Sequence, residues 1–257
     1  MANSNELEYE DQVLKTYVEE DIAIVKVKCN VFETLADIVE SGRLISFFNK
    51  AEKNTQVKAV LIINEDGCLN EQEYDQYFQR LIQKEQTMEH GGSTSPIFSS
   101  LERTRQINLL SRVIIQILDF KKISVIGMQG DIVTPFFGTS LAADFRFAAT
   151  GMSYSLAHLK EGHHPGGCLP FFLPLYVGRG KAIEILFKGA KISALEAKQM
   201  GLITEIFPSE NFERRCLQEI HQLCQLSPKV IHTTKMLLNY DKDELQEYFG
   251  AESALTH

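Results

Sequence analysis

Apolar residues along this chain change their spacing at intervals, and each change marks an element. Residues 18–28 are β-branched and partly alternating. The centre of that run, Ile22-Ala23-Ile24-Val25, is continuously apolar, as in a buried strand. Leu35, Ile38, Val39, Leu44, Ile45 and Phe48 recur on one side of a helix over residues 35–52, with Thr34 as its N-cap. Residues 57–63 form a second strand. Its all-apolar run Ala59-Val60-Leu61-Ile62-Ile63 implies burial on both faces. Strand, helix and strand make a βαβ start with parallel pairing.

Residues 71–86 are polar and helix-prone, and residues 90–100 (HGGSTSPIFSS) read as a mobile loop. Ile107, Leu110, Ile114, Ile117 and Leu118 mark a helix face leading to a short strand over residues 123–127. Further on, residues 181–187 are helical and end near Gly189. Ser193 with Glu196 three residues later forms a capping box. A strand over residues 204–207 stops at Pro208, and helices follow over residues 211–226, 228–239 and 244–252. Residues 1–14 read as a frayed acidic lead-in.

Composition narrows this picture. A chain of 257 residues with 44% hydrophobic content has room for one large domain, or one domain and a small appendage. Its net charge of −8 argues against nucleic acid or an anionic membrane as main partner. A local basic patch would still hold phosphates. No run of 18 apolar residues occurs and the first residues are polar, so neither a transmembrane helix nor a signal peptide is expected, and a cytoplasmic protein is. The five cysteines lack CxxC spacing and read as free thiols in a reducing cytosol.

Residues 121–178 carry a more specific signal. A strand ends in a glycine turn at Gly130. Asp144, Arg146 and Ala148 follow, and then Gly162, Pro165 and Gly166. Downstream, Lys181, Ala182, Glu184, Gly189, Ile192, Ser193, Ala194, Glu196, Ala197, Gly201, Leu202 and Ile203 form a second dense run. These positions resemble the crotonase superfamily, the enoyl-CoA hydratase/isomerase fold, over nearly the whole chain. The resemblance implies an α/β, crotonase-like (ClpP/crotonase) spiral of βαβ turns. Residues 1–200 would form its core and residues 201–257 a helical trimerisation region, giving a homotrimer or a dimer of trimers.

The resemblance also implies a chemistry. Family members hold an acyl-CoA thioester and stabilise its enolate with two backbone N–H groups, and hydratases add two glutamates as acid and base. Carried onto this chain, one N–H donor falls on Pro135, which has none, or on Phe136 if the register shifts by one. The other donor falls near Glu71, with Asn70 beside it. The first glutamate position is Gly138, a lost carboxylate. The second is His158, which reads either as a base or as a packed histidine on the floor of the cleft. Asp131 would cap the central helix or enter the cleft. Lys235 matches a lysine near the CoA phosphates in the family, or is a helix-surface lysine. His163 and His164 point apart, and no metal site is expected. Cys168 reads as a packed thiol.

The function so implied is that of an enoyl-CoA hydratase/isomerase family protein that binds acyl-CoA without standard hydratase activity. If active, it would be a crotonase-type lyase or isomerase with no cofactor beyond the coenzyme A thioester itself. Two alternatives stand beside it. One is a His-dependent retro-Claisen hydrolase of a β-diketone, with His163 or His164 and Glu161 or Asp131 assisting His158. The other is a noncatalytic scaffold or binding member.

Overall fold

The computed structural model describes residues 6–32, 42–88, 97–160, 162–238 and 242–255. Among them, β1 (Tyr9–Glu10), β2 (Leu14–Glu19), β3 (Ile22–Val27), β4 (Ala59–Asn64), β5 (Ile123–Met128), β7 (Phe145–Ala149) and β10 (Glu205–Phe207) make a seven-stranded sheet in that spatial order. From β3 onward every pairing is parallel. A smaller sheet holds β6 (Asp131–Val133), β8 (Ser153–Ser155) and β9 (Ile192–Ser193). The chain leaves the large sheet after β5 and again after β7, each time through a short turn into the small sheet. This repeated step is the spiral.

The continuous apolar runs have a simple cause: both faces of the large sheet are covered. Helices α1 (Arg43–Lys53), α2 (Glu71–Met88) and α3 (Ile97–Asp119) lie before β5 in the chain. On one face, Phe48 of α1 and Ile114 and Ile117 of α3 pack on Val25, Val60 and Ile126. The remaining helices are α4 (Phe136–Ser140), α5 (Leu169–Lys188), α6 (Ala194–Gln199), α7 (Phe212–Leu223), α8 (Pro228–Leu238) and α9 (Lys242–Ala254). On the opposite face, Phe212, Cys216 and Ile220 of α7 pack on Ile24, Leu61 and Val125. The Ser193–Glu196 capping box starts α6 as expected.

Several expectations change. The run over residues 18–28 is not one strand but parts of an antiparallel hairpin, turned at Glu20 with φ 53°. The lead-in is not wholly frayed: Tyr9 and Glu10 pair with β2, and Leu7, Val13 and Leu14 are buried. The helix over residues 181–187 is the second half of α5, whose backbone breaks at Gly178. Thr34 and the start of its helix, and residues 90–96 of the expected loop, lie outside the described residues. Residues 97–100 begin α3. Buried sheet-packing residues also occur past residue 200: β10 pairs with β7, and buried residues from Phe212 to Cys224 pack on the sheet.

The cysteines divide. Cys168, Cys216 and Cys224 are free and buried. Cys29 and Cys68 are disulfide-bonded, with Cα atoms 4.4 Å apart, against the expectation of five free thiols. The parallel pairing of β3 with β4 causes this. It sets the loops that follow the two strands side by side.

Candidate functional site

The central motif folds into a tight backbone junction. Pro135 is the N-cap of the five-residue α4, and its carbonyl accepts from Thr139 N–H at 3.1 Å and Thr139 Oγ1 at 3.2 Å. The turn Gly166-Gly167-Cys168 leads into α5 directly against α4. A Cβ added at Gly138 would overlap Gly167 O and lie 2.7 Å from Leu169 N, and one added at Gly167 would overlap Pro135 O. Gly167 also has φ +69°, in the left-handed region. Both glycines are therefore fixed by space. The position where the resemblance seeks a first carboxylate has no room for any side chain.

Beside this junction lies an apolar cavity of about 100 Å³. Val31, Leu69, Leu110, Met128, Ile132 and Phe136 are among its walls. Its few polar neighbours are satisfied within the protein. Asn64 Nδ2 donates to Gln129 O at 2.9 Å, and Ser140 Oγ donates to Phe137 O at 2.6 Å. A cavity with such an apolar lining favours hydrocarbon over water. Phe136 meets Phe32 edge-on at 5.3 Å, while Phe137 is fully buried and stacks on Tyr154 at 3.8 Å.

The candidate residues are not brought together here. His158 lies on the 3-10 turn Ala157–Leu159, 2% exposed, and is not among the cavity walls. Its Nδ1 is 3.3 Å from Thr134 Oγ1, and that hydroxyl donates to Ser155 O at 3.1 Å. His158 Nδ1 and the Thr134 hydroxyl are thus within hydrogen-bond reach, the donor being set by the imidazole tautomer. Asn70 caps α2: its Oδ1 accepts from Glu73 N–H at 2.8 Å and its Nδ2 donates to Gly67 O at 2.8 Å. Glu71 stands in the first turn of α2, where a carboxylate suits the helix dipole, and pairs with Lys160 at 2.9 Å. Asn70 and Glu71 face a polar groove of about 680 Å³ that also includes Asp75, Asp131 and Lys191, and neither walls the apolar cavity. The wall residue from that loop is Leu69. Its signal was an apolar side chain in a loop otherwise polar.

Two more placements differ from the expectations. Asp131 does not cap α4. It lies on β6 and accepts from Ser153 Oγ at 2.8 Å and Lys191 Nζ at 3.0 Å. Lys235 is not a surface lysine. It is buried, donating to Asp144 Oδ2 at 2.6 Å and Lys122 O at 2.9 Å. Burial lowers its pKa, with Asp144 opposing that shift. The Asp144 and Arg146 of the motif are thus structural. Arg146 Nε donates to Leu202 O at 2.7 Å and ties β7 to the segment before β10. Glu252, which sequence reasoning missed, is 3% exposed. It accepts from Cys168 N–H at 3.3 Å and from the Cys168 thiol at 3.4 Å, docking α9 onto the start of α5. Burial raises the Cys168 pKa, so that thiol is inert. Among the described residues, no group of three or more His, Cys, Asp or Glu is placed to hold a metal ion, and no helix is long and apolar enough to cross a membrane.

Comparison with known proteins agrees with this architecture. An enoyl-CoA hydratase from Mycobacterium avium subsp. paratuberculosis superposes with TM-score 0.71 at 18% identity, covering 96% of this chain and 93% of that one. HypX from Aquifex aeolicus gives TM-score 0.74 at 20% identity, over 96% of this chain and 42% of its own. Among curated proteins, the mouse peroxisomal enoyl-CoA delta isomerase 3 is 29% identical over 53% of this chain and 44% of its own length. Human enoyl-CoA delta isomerase 2 is 22% identical over 88% of this chain and 59% of its own. The chain thus spans about half the length of these curated relatives. The pattern of the enoyl-CoA hydratase/isomerase family matches residues 87–257, well over half of the sequence. With that match and the spiral of parallel strands, the chain belongs to the enoyl-CoA hydratase/isomerase family.

Proposed function

We propose that this chain binds an acyl-CoA thioester and does not hydrate it. One observation carries the reading. An apolar cavity adjoins the α4–α5 junction, while neither family carboxylate position supplies an acid or base to it. Gly138 has no room for a side chain, and His158 is packed outside the cavity. Pro135 supplies no N–H. Loss of one oxyanion donor alone costs about 2.7–4 kcal/mol, roughly 10²–10³ in rate. Removal of acid–base assistance takes roughly another 10²–10⁴.

Calorimetric titration with CoA and acetoacetyl-CoA tests the binding, and crotonyl-CoA hydration tests the chemistry. Saturable binding of acetoacetyl-CoA is expected, with crotonyl-CoA turnover far below the ordinary enzyme range of about 1–10³ per second. Absence of binding would overturn the first half of the reading, and turnover in that range the second.

The same reading includes assembly with copies of itself into a trimer or a dimer of trimers. Its support is apolar surface on two helices: Leu175 and Phe187 on α5, and Leu237 and Leu238 on α8, are each more than 70% exposed. Light scattering at micromolar concentration is expected to give three or six chain masses. A monomer would count against it.

A further inference from the structure

The Cys29–Cys68 bridge has no part in the function proposed above. Its two ends differ. Cys29 is exposed in the loop after β3, and Cys68 is fully buried in the loop after β4. The strands that carry them hold together without it. β3 and β4 are paired in register from Ile22 with Ala59 to Val27 with Asn64, and Glu65 N–H donates to Val27 O at 2.8 Å just past the last pair. Beyond that rung, the bridge ties the two loops covalently. Each loop supplies a wall of the apolar cavity two residues or fewer from its cysteine, Val31 on one side and Leu69 on the other.

We propose that Cys29–Cys68 is a thiol–disulfide exchange site. It takes a low-molecular-weight thiol at Cys29, and its opening loosens the two loops that wall the cavity. An external thiolate attacks the exposed Cys29 sulfur. The Cys29–Cys68 bond breaks, a mixed disulfide forms on Cys29, and the electron pair leaves on Cys68 sulfur, which then takes a proton. A second thiol attacks the outer sulfur of the mixed disulfide, releasing Cys29 as a thiol. Two external thiols are oxidised to one disulfide and the protein bridge is reduced to two thiols. Attack falls on Cys29 because that sulfur is the exposed one, and the buried Cys68 is the sulfur that leaves. The other cysteines do not compete. Burial raises the pKa of all three, that of Cys224 to about 11.

The test uses the full chain, isolated oxidised and then treated with reduced glutathione under native conditions. Mass mapping is expected to find the bridge first and a glutathione adduct on Cys29 during treatment. Hydrogen exchange in residues 28–32 and 65–70 is expected to speed up by at least about tenfold on reduction, with protection in the centres of β3 and β4 unchanged. Cys29→Ser is expected to show the fast exchange with or without glutathione. Cys68→Ser, whose Cys29 is a free thiol, is expected to take the adduct from oxidised glutathione, releasing one reduced glutathione. Four results would overturn the proposal: two free thiols in the oxidised protein, an adduct on Cys168, Cys216 or Cys224 instead, reduction only on global unfolding, or equal loop exchange in both redox states. None of these readouts depends on whether CoA binds.

Discussion

Gly138→Glu, the substitution that writes the family's first glutamate back into the sequence, is expected to destabilise the protein and create no hydratase activity. The reason is local. Gly138 is buried in α4, and the atoms around its missing Cβ are all backbone: Gly167 O in overlap, Leu169 N at 2.7 Å and Gly167 C at 2.8 Å. No rotamer relieves a clash with backbone. The α4–α5 junction has to separate, and Glu252 and Cys168 are bonded across its far side. Overpacking by a methyl group costs about 1–3 kcal/mol, while the helix gain from Gly to Ala returns at most about 1 kcal/mol in a long helix. A buried carboxylate without a partner adds several kcal/mol more.

Gly138→Ala is therefore expected to lose about 1–2 kcal/mol, and Gly138→Glu about 4 kcal/mol or more, a large part of a domain's usual 5–15 kcal/mol. Urea unfolding measures the first. Soluble yield and crotonyl-CoA hydration measure the second. A Gly138→Glu protein with a wild-type urea midpoint would show that the junction has slack and that glycine there is not fixed by space.

How much of this could be read beforehand follows from which forces are local. The run Ala59–Ile63 declares a strand buried on both faces, because apolar continuity over that length has few other outcomes, and residues 123–127 declare a short strand by their β-branched residues. The Ser193–Glu196 box declares a helix start, because the bonds that make it lie within four residues. The hairpin at Glu20 was hidden: Asp21 is a turn residue, but no glycine, proline or asparagine stands beside it, so the two strands ran together in the pattern. Gly138 and His158 could be placed by counting. That Gly138 is held by Gly167, and that His158 sits behind Thr134 rather than on the cavity, depend on how α4 meets α5 and β8. The Cys29–Cys68 pair spans 39 residues and becomes visible only once β3 and β4 are known to be neighbours. Lys235 misled for a related reason. A lysine in a helix is usually solvated, and nothing near it in sequence announces Asp144.

Asp144→Ala is expected to be the most costly removal of a charge from this protein, and its cost should fall as the pH rises. Asp144 Oδ2 accepts from Ser124 N–H at 2.8 Å, Ser124 Oγ at 2.8 Å and Lys235 Nζ at 2.6 Å. Its own N–H donates to Ser124 Oγ at 3.2 Å, so the start of β5, the start of β7 and α8 meet on one residue. The Lys235 side chain is 11% exposed and that of Asp144 23%, so water screens the pair little. Removing the carboxylate leaves a buried ammonium with Lys122 O as its remaining bonded partner among those described, at an expected cost of about 3–5 kcal/mol. Lys235→Met is expected to cost less, because Asp144 keeps both bonds from Ser124, and the double variant should cost less than the two single costs added.

The pH dependence has a definite sign. Burial lowers the folded-state pKa of Lys235 below its ordinary 10.5, against the raising effects of Asp144 and Glu52. Between the lowered value and 10.5 the unfolded chain holds more protons than the folded one, so stability from this group rises with pH across that window. Below the lowered value the cost of the buried charge is present in full. Asp144→Ala removes the larger of the two raising effects and lowers the folded value further, so the window widens toward neutral pH. Measured in urea, the deficit of Asp144→Ala relative to the wild type should shrink steadily as the pH is raised from neutrality toward 10. A deficit that stays constant would mean that Lys235 reaches solvent once its partner is gone. The cost of the variant would then come from the lost Ser124 bonds alone.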